Sequence, residues 1–89
     1  MLQKNTQNIY QWSIGKTEHE IEEQIKLLLI AIDIAKAEIL FAQKQIMKKA
    51  LRKKIIKIMN YTIEKNEEAI SFLKMDLAMK RLMNNFGRI

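Results

Sequence analysis

From Ile21 onward, apolar residues return every three or four positions, and they never settle into the strict alternation of a half-buried strand. That spacing is the period of an amphipathic helix. Ile21, Ile25, Leu28, Ile32, Ala35, Ile39, Ala42 and Ile46 form one heptad seam, and Ile56, Met59, Ile63, Asn66, Ile70, Leu73 and Leu77 form a second. A further row, Leu27, Ile34 and Phe41, lies well away from the first seam, which predicts that more than one neighbour covers this helix. Residues 16–86 contain neither glycine nor proline, the residues that most reliably end helices. The expected fold is therefore all-α with little or no β: a long antiparallel helical hairpin or a three-helix bundle, with coiled-coil-like seams.

Thr17 opens the long helical region with a capping box, in which its hydroxyl and the Glu20 carboxylate satisfy each other's backbone amides. Glu18, Glu20, Glu22 and Glu23 add negative charge where the helix dipole favours it. Residues 1–16 read as a polar N-terminal arm or short helix, capped by Thr6 and terminated by a left-handed Gly15, with Tyr10 and Trp12 available for docking. Residues 17–86 read as a single helical domain. One continuous helix there would be about 105 Å long at about 1.5 Å per residue. Apolar residues on both sides of its first half favour a chain that folds back. The expected turn lies within residues 60–66, where Asn60 and Asn66 stand in a stretch otherwise poor in turn formers, and Asn66 can cap a new helix with Glu67 and Glu68 in its first turn. A break inside the lysine cluster would give more equal arms, but its residue types do not ask for one.

Composition changes this picture in two ways. The 89 residues make one small domain without a single cysteine, so neither disulfides nor thiolate-bound metal can staple it. Small unstapled scaffolds rely on dense helix packing or on self-association, and an apolar content of 48% serves either. The net charge of +6 is also concentrated rather than spread. Lys44, Lys48, Lys49, Arg52, Lys53, Lys54 and Lys57 carry seven positive charges with no acid among them, and the rest of the chain balances to −1. Such a basic amphipathic segment suits an acidic protein surface, a nucleic-acid backbone or an anionic membrane surface.

Candidate chemistry is sparse. Gly15-Lys16-Thr17 ends like a phosphate-binding loop, but position 10 is Tyr where the motif needs glycine, and no core strand can precede it. His19 stands among four glutamates as the only histidine, short of the second one that zinc hydrolases require and of the paired Glu-x-x-His motifs of di-iron bundles. Ser13 and Ser71 have no recognisable base nearby. The expectation is a non-enzymatic chain with no catalytic residue, cofactor, metal or small-molecule substrate. The polar opening residues lack the apolar run of a signal peptide, and the most apolar stretch carries Lys26, Asp33, Lys36 and Glu38, which makes it a poor membrane span. A cytoplasmic location is the default that follows.

The sequence thus points first to a small helical interaction protein. It would self-associate, or serve as a subunit or adaptor of a larger assembly, through an interaction seam of Ile21, Ile25, Leu28, Ile32, Ile39, Ile46, Ile56, Ile63, Ile70, Leu73 and Leu77 together with the basic face. The alternative is a charge-driven, largely non-specific nucleic-acid binder using residues 44–57. A peripheral membrane-surface binder ranks third.

Overall fold

The computed structural model describes residues 9–86, and these form an all-helical hairpin. Helix α1 spans Glu18–Lys44, helix α2 spans Lys49–Phe86, and residues 45–48 join them. Helix α1 starts at the expected capping box: Glu20 N–H donates to Thr17 Oγ1 (3.2 Å) and Thr17 N–H donates to Glu20 Oε1 (3.2 Å). It ends at Gln45, which turns extended (φ −80°, ψ 145°) while its amide still donates to the Phe41 carbonyl.

The two helices bury their heptad seams against each other. Ile21, Ile25, Ile32, Ala35 and Ala42 are buried from α1, and Ala69, Ile70, Leu73 and Leu77 from α2. Ile21 and Leu73 are fully enclosed. Leu28 and Ile63 pack partly buried against this core, and Ile39, Ile56 and Met59 are half-buried. Ile46 departs from the expected seam: it sits in the connection and is fully exposed.

The chain reverses at residues 45–48 rather than within 60–66, through which α2 runs unbroken. Asn66 accordingly caps nothing and occupies a half-buried position inside α2. Two physical terms account for the shift. A turn at residues 60–66 would leave a short second arm against a long first one, and much of the Ile21–Ala42 seam would stay wet. A continuous helix through the lysines would also stack Lys44 on Lys48 and Lys48 on Arg52 at i, i+4, where like charges repel. Seam burial and charge relief both outweigh the weak local preference of the two asparagines.

At the open end of the hairpin, residues 9–12 form a helical turn closed by Gly15 in the left-handed region (φ 78°). The Tyr10 ring packs edge-on against Phe72 with centroids 4.3 Å apart, and Ile9 and Trp12 pack against the core. Lys80 fastens this segment to α2, its Nζ donating to the Ser13 carbonyl (2.6 Å) and to Asp76 (3.1 Å). Thr6, the expected cap of this turn, lies outside the described residues.

The resulting shape is long and thin, with extents of 62 × 23 × 14 Å and a radius of gyration of 17.0 Å. A compact chain of this length has a radius of about 12 Å. Two helices side by side have little interior, and most of each one's circumference remains outside.

Candidate interaction surfaces: a basic tip and uncovered outer faces

The turn splits the basic segment. Lys44 ends α1, Lys48 lies in the connection, and Lys49, Arg52, Lys53, Lys54 and Lys57 occupy the first turns of α2. The seven cations therefore gather at the hairpin tip instead of lining one continuous helical face. Lys49, Lys53 and Lys57 still stack at i, i+4 spacing, and the first turn of α2 holds no acidic residue to answer them or the helix dipole. Among the described residues, none of the seven has a carboxylate within ion-pair distance.

Arg52 differs from its neighbours. Its Nη2 donates to the Gln45 carbonyl (2.8 Å), satisfying a backbone oxygen at the end of α1 that the helix leaves unpaired. Its Nε is buried without a partner. Arg52 is thus a clasp on the turn, while the six lysines are exposed. This role is not legible in the sequence, because nothing local marks a side chain that reaches seven residues back.

The glutamates at the start of α1 are occupied within the hairpin. Arg81 bridges Glu18 (3.6 Å) and Glu22, and Asn84 donates to Glu18 (2.9 Å). Glu20 is held by Thr17 and Lys16, and hydrogen bonding from Thr17 lowers its pKa below the ordinary value. Glu23 pairs with Lys26 alone, in an exposed i, i+3 contact of 3.4 Å. Further along α2, a hydrogen bond to Glu68 raises the pKa of Lys65.

Every member of the predicted interaction seam except Ile46 is wholly or partly taken up inside the hairpin. The apolar surface left for a partner lies elsewhere. On α1, Leu27 (59%), Ile30 (54%), Ile34 (57%) and Phe41 (61%) remain exposed. With exposed Ala37 they repeat at spacings of three, four, three and four, which is a second heptad stripe on the side away from the core. The expected row of Leu27, Ile34 and Phe41 is therefore real, but the hairpin supplies no helix to cover it. Ile30 and Ala37, which complete it, were legible from the same spacing. On α2, Met75, Met79, Leu82, Met83 and Phe86 form a second exposed group near the open end.

Neither surface encloses a cavity. The grooves present are open and shallow: one on α2 is lined by Lys53, Ile56, Lys57, Asn60, Tyr61 and Glu64, and one at the open end by residues around Gly15 and Lys80. Among the described residues, no helix is long and apolar enough to cross a membrane, and no group of three potential metal ligands comes together. Such a surface can bind through apolar stripes and fixed charge. Compared with protein-family models, curated proteins and solved structures, the chain finds no match.

Proposed function

We propose that this chain is a non-enzymatic helical interaction protein that self-associates, or joins a larger assembly, through its uncovered outer faces. The observation that carries this reading is the surface left over after the hairpin has formed. The chain exposes 7241 Å², whereas a compact monomer of its mass exposes roughly 5,500 Å². Part of the exposed surface is apolar and falls in one row, Leu27–Ile30–Ile34–Ala37–Phe41. Isolated exposed apolar residues need no explanation, but a heptad-spaced row of them marks an interaction surface. Light scattering coupled to size exclusion tests the reading. A mass that rises above 10.6 kDa with concentration supports it. A cooperative monomer that does not bind an apolar dye at any concentration defeats it.

The six lysines at the tip favour a second reading, charge-driven binding to nucleic acid. Binding through phosphate contacts falls with salt, with a log–log slope of about 0.9 per contact. The triple change of Lys49, Lys53 and Lys54 to Glu, which spares the Arg52 clasp, then reduces that slope by roughly 3. Equal binding by wild type and variant removes this alternative.

A further inference from the structure

We infer that the partner on the outer face of α1 is a second copy of this chain, packed antiparallel about a two-fold axis near Ile34. This inference rests on the self-association proposed above and specifies its geometry. The stripe Leu27, Ile30, Ile34, Ala37, Phe41 continues at the same spacing to Glu23 at one end and Lys44 at the other. It is therefore apolar in its middle and oppositely charged at its two ends.

That charge pattern selects one orientation. An antiparallel pair centred near Ile34 sets Leu27 of each copy by Phe41 of the other, and Glu23 by Lys44. A parallel pair sets Glu23 against Glu23 and Lys44 against Lys44. Like charges directly opposed across a packed helix pair disfavour it, and matched ones set orientation. Both end residues are exposed, and Lys44 has no acidic partner among the described residues. Glu23 has only its surface contact with Lys26, which is cheaply exchanged. One like-charged contact works against the pair, where Asp33 meets its own counterpart beside the axis.

The arrangement is isologous and closes as a dimer. It covers a stripe about 21 Å long, fourteen residues at about 1.5 Å each. It also brings the basic tip of each copy alongside the acidic start of α1 in the other. Lys44, the tip cation at the end of the stripe, then gains the carboxylate neighbour that the single hairpin denies it.

The chain has no cysteine, so single introduced thiols report the geometry without background. Full-length Ile34→Cys, Leu27→Cys and Phe41→Cys variants are treated with a short bis-maleimide. Ile34→Cys cross-links with itself. Leu27→Cys and Phe41→Cys do not, because each lies about 20 Å from its counterpart along the axis, but they cross-link to each other when mixed. Charge reversal adds a second readout. Glu23→Lys weakens the dimer roughly tenfold, as expected for two matched pairs turned repulsive, and adding Lys44→Glu to the same chain restores it. Self-linking of Leu27→Cys, or a dimer by light scattering in which Ile34→Cys fails to link, overturns this geometry and leaves self-association standing. A monomer by light scattering with no link at any site overturns both.

Discussion

Leu73 and Ile46 are both aliphatic residues assigned to heptad seams, yet they carry opposite energetic weight. Leu73 is fully enclosed between the helices, so Leu73→Ala removes its contacts and leaves a cavity, at a cost of about 2–5 kcal/mol. Ile46 projects from the turn into solvent, and Ile46→Ala changes stability by less than about 0.5 kcal/mol. Urea unfolding of the two variants checks the contrast, and similar losses would contradict the position of the turn. Thr17 makes a second residue-scale case. Thr17→Ala removes the capping box at a cost of about 1 kcal/mol, which lowers the melting temperature by about 4–8 °C in a domain of this size. The effect depends on pH. Because the Glu20 pKa is lowered in the fold from its usual 4.5, its contribution is present above that value and lost as pH falls through the folded pKa. The gap between wild type and Thr17→Ala in thermal denaturation should therefore narrow in acid. The capping box was fully legible in sequence, since all of its partners lie within three residues. The Arg52 clasp was not, because its acceptor exists only once the chain has turned.

At the scale of elements, the apolar spacing identified both helices and nearly all of their buried residues, and it failed at the bend. The reason is physical. No glycine or proline enforces the turn at residues 45–48, so its position is decided by how much of each seam can be zipped against the other. Local residue types, which favoured Asn60 and Asn66, contribute less than this non-local term. Proline substitution separates the two positions. Gln45 is already extended, as the residue before proline must be, so Ile46→Pro costs no more than about 1 kcal/mol. Tyr61→Pro falls inside α2, breaks its hydrogen-bond ladder and costs about 3 kcal/mol or more. Thermal unfolding followed by circular dichroism gives the comparison, and the reverse order would place the bend back at residues 60–66.

For the whole molecule, the two-sided apolar pattern of α1 has a different consequence from the one its sequence suggested. A third helix was one way to cover Leu27, Ile34 and Phe41, but the described chain forms a two-helix hairpin and leaves that row exposed. The hairpin uses one stripe of α1 to fold and retains the other. The tip follows the same logic in charge: reversing the chain there relieves some lysine repulsion but supplies no counter-ions. The apolar stripe is the unmet demand that the proposed antiparallel pair would cover, and Lys44 at its end is the tip cation that the pair would set beside a carboxylate. The direct test is the solution mass of wild type beside Ile34→Glu, a change in an exposed residue that leaves the hairpin core untouched. The expected wild-type mass is about 21 kDa, twice the 10.6 kDa chain, and the variant is expected as a helical 10.6 kDa monomer. A wild-type monomer, or a variant that associates as well as wild type, would contradict it.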